Sequence, residues 1–367
     1  MMAAPNSPAA QWVEPEQSPW GLSLQPAGCP LCKRVFLVQA DHLGRVCPSC
    51  FQSKLEAQPA WLRSEPPERV VQFRKGRNDL HQILASFTQG VWLHADDFTP
   101  ESLFQHVRPV YFPMWLVDSN VAGDWQGEAG FDYQVKSSQE SYHEGRWISQ
   151  DVVETRIRWE PRLGQLMRHY NNITVPALSD HQALMENLGN FQFDQCTPYQ
   201  PGLIGTADML VPDLQPEHAW PTAAASLERA AAEECRQAAG AEHLRQYALT
   251  PDYSGLNWTQ LLLPLYISYY TRDDGQPQPV WVNGQTGVVG GLRLASQKKG
   301  WQLAAILEGL ALALVGMGLL AAIIPPITLL GILMVLAGFA LAIIGVVPAV
   351  WPWQWNRGQQ PRKVISR

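Results

Sequence analysis

Residues 29–50 read CPLCKRVFLVQADHLGRVCPSC, and what these four cysteines do decides the fold of the N-terminal part of the chain. Cys29, Cys32, Cys47 and Cys50 form the pattern C-x2-C-x14-C-x2-C, a spacing that lets two knuckles place four thiolates tetrahedrally around one Zn2+ ion. Pro30 and Pro48 follow the first cysteine of each pair and stiffen the turns that present sulfur. Between the pairs, RVFLVQADHLGRV reads as two short strands around a polar turn at residues 41–44, the layout of a zinc ribbon. Four cysteine ligands leave no open coordination position, so the metal is expected to hold a fold rather than to activate water. Two disulfides or redox-active CxxC pairs fit less well, because neither pair lies at a strand-to-helix junction and no export segment is expected. Glycine often follows the second cysteine of such knuckles, whereas here Lys33 and Phe51 occupy those places. His42 is expected as a turn residue, and Cys196 and Cys235 as lone buried thiols.

Upstream, MMAAPNSPAAQWVEPEQSPW has neither a basic nor an apolar secretory region. Residues 1–24 are expected to be a disordered lead-in, followed by a zinc ribbon over 25–56. At the far end, Leu303 to Val350 is almost uninterrupted apolar sequence, broken by Pro325 and Pro326. One helix needs about twenty residues to cross a bilayer, so the run predicts a transmembrane helical hairpin over 301–352 and a basic tail over 353–367. Lys298 and Lys299 precede it, Arg357, Arg362, Lys363 and Arg367 follow it, and the connecting turn is uncharged. That asymmetry places both termini in the cytoplasm, with a multi-pass anchor in the inner membrane and Trp301, Trp351, Trp353 and Trp355 in one headgroup layer. Glu308 is the one ionisable residue inside the first span and is therefore a functional candidate. Gly309, Gly316 and Gly318 are expected to face Gly331, Gly338 and Gly345 and allow close packing.

The middle, 57–300, predicts an α+β body rich in antiparallel sheet. Helices are expected from near Asn78 to Gly90 and from Thr99, and an Ala-rich helix is expected over WPTAAASLERAAAEECRQAAGAEHLRQY. VYFPMWLVDSNVAGDWQGEAGFDYQV predicts a strand pair turning at Gly123, DVVETRIRW and LMRHYNNITV two further strands, and Asn283-Gly284 a hairpin. The echo between Pro113-Met-Trp-Leu-Val and Pro264-Leu-Tyr-Ile-Ser is read as two separate aromatic strands rather than two halves of one sheet.

A net charge of -6 over 367 residues argues against a general phosphate-binding surface. The local patch Arg69, Arg74, Lys75 and Arg77 is the candidate partner-binding segment, and the nucleic-acid contact that it could make defines the rival function. No phosphate-cradling glycine loop, metalloprotease helix or nucleophile elbow is present, so no catalytic residue is assigned. An enzyme at the membrane surface would require His94, Asp96 and Asp97 to line a deep pocket between body and membrane. Asp273-Asp274 and His143-Glu144 read as solvated turns.

The order of segments, with VRPVYFPMWLVDSNVAGDWQGEAG, LLLPLYISYY and VWVNGQTGVVGG beside an apolar end, resembles a bacterial family of membrane-anchored zinc-ribbon proteins. That family is described by likeness to the zinc-binding part of the primosomal DNA helicase, or as transcription-factor-IIB-type ribbons. The resemblance covers about residues 25–300 and implies a non-enzymatic membrane protein, zinc ligation by the four cysteines and structural roles for Pro113, Trp115, Asn283 and Gly287. Some relatives look like parts of envelope-stress assemblies that recruit proteins of the phage-shock class. The expected function is an adaptor that docks cytoplasmic protein partners at the bilayer, with the exposed ribbon strands as the docking surface.

Overall fold

The computed structural model describes residues 10–13, 20, 24–63, 65–143 and 145–359. Along the chain, β1 (Leu24–Gly28), β2 (Val35–Gln39) and β3 (Glu56–Ala57) build the cysteine-bearing segment. β4 (Arg69–Val70), α1 (Arg77–Thr88) and α2 (Pro100–Gln105) lead into β5 (Arg108–His143) and β6 (Arg146–Pro176). Then come α3 (His181–Leu188), β7 (Asp208–Leu210), α4 (Pro216–Ala238), β8 (His243–Thr271), β9 (Pro277–Asn283) and β10 (Val289–Gly291). The apolar helices α5 (Gln297–Ala322) and α6 (Thr328–Gln359) complete the described chain.

The strands join in the order β10-β9-β8-β5-β7-β2-β1-β3. β6 pairs with β5 on the same edge as β7: β7 meets Val110 and Tyr111, and β6 begins at Met114. Pro113 falls in the gap between them, where a missing N–H costs no ladder bond. Pro264 lies on the adjacent strand, opposite Tyr111. The two proline-led segments are therefore neighbouring strands of one sheet, contrary to the expectation that they are separate.

The largest departure from the expectation is strand length. β5 runs straight through Gly123, and the hairpin turn lies between His143 and Arg146. Gly123 is needed for a different reason: a Cβ there would stand 2.2 Å from the Thr250 carbonyl oxygen of β8. Likewise DVVETRIRW and LMRHYNNITV belong to one strand, which carries Pro161 and Gly164 without a break. Beyond Gly130, where β8 begins its pairing, β5 and β6 continue as a two-stranded arm.

α4 covers one face of the three long strands with Ala219, Ala223, Leu227, Ala231 and Cys235, a stripe of four-residue spacing. Its small side chains bring the helix close to Trp115, Val117 and Trp258 in one buried cluster. Tyr170 donates to Glu234 at 2.8 Å, and Arg168 pairs with the same carboxylate. α1 and α2 start as their sequences require. Asp79 accepts from the Gly76 N–H, and Thr99 caps α2 by accepting from Ser102. Asn283 closes the β9–β10 hairpin, its side chain accepting from the Gln285 and Thr286 N–H groups.

α5 and α6 are both long and apolar enough to cross a membrane, and only 17% of either apolar window is buried. They pack on each other through residues spaced by seven: Ala304, Ala311 and Gly318 on α5, Gly331, Gly338 and Gly345 on α6. Gly309 and Gly316 fall off this seam with open space around them, because the seven-residue period, not glycine itself, selects the contact face. α6 continues through Pro348 and Pro352 to Gln359, so residues 353–359 are helix rather than tail. Residues 360–367, with Arg362, Lys363 and Arg367, lie outside the described residues. Part of the expected disordered lead-in is also structured. Ala10–Val13 pairs antiparallel with Ala60–Arg63, and Trp20 is buried.

Candidate metal centre

The four cysteine Sγ atoms lie within 4.8 Å of one another. Cys29 is 3.6 Å from Cys50, and Cys32 is 3.7 Å from Cys47. Sulfurs around a tetrahedral ion with metal–sulfur bonds of about 2.3 Å stand about 3.8 Å apart, so the donor set has the size and chemistry of a metal site.

Each pair is a knuckle that folds back on its own sulfur. The Cys32 N–H points at the Cys29 sulfur at 3.5 Å, and the Ser49 N–H at the Cys47 sulfur at 3.4 Å. Lys33 and Phe51 donate to the carbonyls of Cys29 and Cys47 and take φ of 61° and 58°. The left-handed turn that glycine usually supplies is thus made here by two side-chain-bearing residues, each at a steric cost of about 1–2 kcal/mol. At Phe51 the ring offsets that cost by stacking on Tyr269 with centroids 4.5 Å apart.

Burial pushes the Cys47 and Cys32 thiols up. Burial also acts to raise Cys29, but the amides of Cys32 and Leu31 and the neighbouring thiols outweigh it and bring that thiol down to about 7. A half-buried cluster of sulfurs cannot hold four negative charges without a cation between them.

The centre is built into the sheet rather than set on a separate head. β2 is bonded to β1 on one side and to β7 on the other, and Phe36, Val38 and Leu55 share a buried cluster with Phe112, Met114 and Leu263. Among the described residues β2 is bonded on both sides, whereas the exposed β3 ends the strand order, so β2 is closed to an added strand and β3 is not. Three polar contacts fix the junction. His42 Nδ1 lies 2.6 Å from the Asp208 carboxylate, Arg108 donates to the Val46 carbonyl at 2.5 Å, and Arg34 pairs with Asp180. Burial raises the Asp208 carboxyl above the usual carboxylate range, against the pull of His42 and Arg108. His42 thus lies in a turn, as expected, but it also clamps the ribbon to the body.

The other sequence candidates do not converge on one site. Arg69 lies on β4, Arg74 and Lys75 on the loop that bonds Gly284, and Arg77 opens α1 with its guanidinium 4.9 Å from the Phe104 ring centroid. His94 bonds the Ala95 carbonyl, Asp96 pairs with Lys299 and Asp97 accepts from the Thr271 N–H. The junction between the body and the apolar helices does hold a cavity of about 370 Å³, but Ala95, Tyr270, Arg272, Asp273 and Ser296 are among the residues lining it, and His94, Asp96 and Asp97 are not. Asp273 caps α5, accepting from Ser296 Oγ and the Lys298 N–H. Glu308 is half-buried on the α5–α6 seam, its carboxylate 2.7 Å from where a Cβ on Gly345 would stand.

Compared with known proteins, the chain matches no family model, no curated protein and no solved structure. The family resemblance rests on the quoted motifs alone.

Proposed function

We propose that this chain is a membrane-anchored, zinc-stabilised scaffold whose α+β body stands at the cytoplasmic face of the inner membrane and holds protein partners there. The observation that carries the reading is the continuity of α6. The helix leaves the apolar segment and packs onto the body, where the partly buried Trp351 and Trp355 lie against a core cluster that includes Val91, Ala95 and Val280. Trp355 donates to the Arg293 carbonyl at 2.6 Å, and Asn356 exchanges two hydrogen bonds with the backbone of Ala295. On α5, Lys299 reaches Asp96 of the body at 2.5 Å. A body fastened to its anchor at several points has a fixed attitude to the bilayer, and such a tether raises a partner's local concentration with no chemistry of its own. The helices cross as a hairpin with both ends cytoplasmic, which puts Lys298, Lys299 and Arg357 on the side that favours cations. The zinc ion, held by Cys29, Cys32, Cys47 and Cys50, supplies structure.

The test is alkaline extraction of membranes from cells expressing the full chain, followed by in-cell crosslinking, purification in mild detergent, metal analysis, and recovery of bound protein and nucleic acid. The reading expects an integral membrane fraction, one zinc per chain and a discrete set of crosslinked proteins. Recovery as soluble protein would remove the anchor. Nuclease-sensitive DNA or RNA in place of proteins would give the function to nucleic-acid binding through the Arg69 to Arg77 segment.

A further inference from the structure

The three long strands, in the order β6-β5-β8, have two outer edges, and they are treated differently. The edge on β8 is interrupted by register shifts between Arg245 and Ala248 and between Ser254 and Asn257, irregularities that blunt an edge against further pairing. The edge on β6 runs from Arg146 to Tyr170 with no shift, and among the described residues nothing pairs with it.

The bonding pattern of β5 fixes which residues point their backbone outward. The Gly130 carbonyl accepts from Glu242, and the Asp132 N–H donates to the Glu242 side chain, so both turn toward the β8 side. By alternation, Phe131 and Tyr133 bond β6 through their partners Arg158 and Arg156. The even-numbered residues of β6 are therefore the inward-bonded ones. Val153, Thr155, Ile157 and Trp159 direct N–H and C=O into solvent. Pro161 has the same parity, so its missing N–H falls on the open side, where a proline is tolerated.

We propose that this open edge pairs, antiparallel and about a two-fold axis at Thr155, with the same edge of a second copy of the chain. The charge pattern selects both the occupant and the register. With Thr155 opposite itself, Glu154 faces Arg156 of the second copy twice, Val153 faces Ile157 twice, and no like charges meet. Trp147, 70% exposed in the single chain, comes opposite Leu163, which is 85% exposed. Moving the axis to Ile157 sets Arg156 against Arg158 and Glu154 against Glu160. An axis at Trp159 pairs Arg158 with Glu160 but sets Arg156 against Arg162. An axis at Val153 leaves Glu154 opposite Val152 and Arg156 opposite Gln150, so neither of these charges is matched, and one at Pro161 removes the two central hydrogen bonds. Strand addition of this kind draws affinity from main-chain bonds and specificity from facing side chains.

The test is the mass of the full-length chain in detergent, by light scattering over a concentration series, for wild type, Glu154→Arg and the swap Glu154→Arg with Arg156→Glu. Glu154 and Arg156 are both at least half exposed, and a single cooperative thermal transition with the same circular dichroism spectrum in all three proteins confirms that each is folded. Wild type is expected as a dimer. Glu154→Arg, which creates two arginine–arginine oppositions, is expected to weaken the dimer by about tenfold or more, and the swap is expected to restore it. A monomeric wild type, or a Glu154→Arg variant that dimerises as wild type does, overturns the proposal. A swap that fails to restore the dimer overturns the Thr155 register.

Discussion

At the scale of single residues, the metal centre is unusual in the side chains that come directly after its second cysteines. Lys33 is exposed and its φ is positive, so its side chain contributes strain without a compensating contact of the kind that Phe51 makes. Lys33→Gly is expected to raise stability by about 1 kcal/mol in thermal unfolding of the metal-loaded protein. Phe51→Gly relieves the same strain but removes the stack on Tyr269, and a net loss of about 1–2 kcal/mol is expected. Equal effects of the two substitutions would show that the turn strain is not what distinguishes the positions. Asp208 offers a second residue-scale measurement. Its folded carboxyl is raised above 3.8 by burial, so the native state holds a proton that the unfolded chain releases at lower pH. The associated stability is full below 3.8 and is lost as pH rises through the raised folded value. The stability of wild type minus that of Asp208→Asn is therefore expected to fall as pH rises across that window. A difference that grows with pH would mean that the His42 partnership, not burial, dominates.

At the scale of elements, part of the fold is written in local pattern. The cysteine spacing, the Thr99 cap of α2, the Ala-rich middle of α4 and the apolar α5 and α6 all depend on residues close in sequence and were legible there. The end of α4 was not: the helix stops at Ala238, and His243 to Tyr247, expected to continue it, open β8 instead. The long strands could not be read the same way. Gly123, Pro161 and Gly164 look like punctuation, yet Gly123 answers the approach of Thr250 from a strand over a hundred residues later, and Pro161 is permitted by an empty edge. His42 and Asp208 lie 166 positions apart, and no local signal joins them. The α5–α6 seam lies between these cases: close packing was readable from the glycines, but which glycines pack depends on the seven-residue period. Gly331→Ala would set a Cβ 2.4 Å from the Ala322 nitrogen and 2.6 Å from the Gly318 carbonyl oxygen, both backbone atoms that cannot step aside. A loss of about 1–3 kcal/mol is expected for it in detergent-titrated unfolding. Gly316→Ala meets open space and is expected to change little, since alanine suits a helix better than glycine does. A comparable loss at both positions would mean that the helices do not pack on this seam.

At the scale of the whole molecule, the consequence of placing the four-cysteine cluster inside the sheet is that a metal ion held there would fold together with the body. β7 is the bridge: it bonds β2 of the ribbon on one side and the start of β5 on the other, and the buried cluster runs across it without a boundary. Removing the ion would leave four thiols competing for charge and free the two knuckles, and β2 would then lose the turns that hold its ends. The loss should not stop at the ribbon, because Phe36, Val38 and Leu55 bury the same surface as Phe112 and Leu263. Chelation of the full-length protein is therefore expected to speed amide exchange over residues 24–57 and equally over 208–211, and to lower the melting temperature of the body in one transition. Exchange in the arm beyond Phe131, which touches neither ribbon strand, is expected to stay as it was. If chelation opened 29–55 alone and left the β2–β7 bonds protected, the ribbon would be an autonomous unit resting on the sheet, and the clamp formed by His42, Asp208 and Arg108 would be a docking contact instead of part of one core.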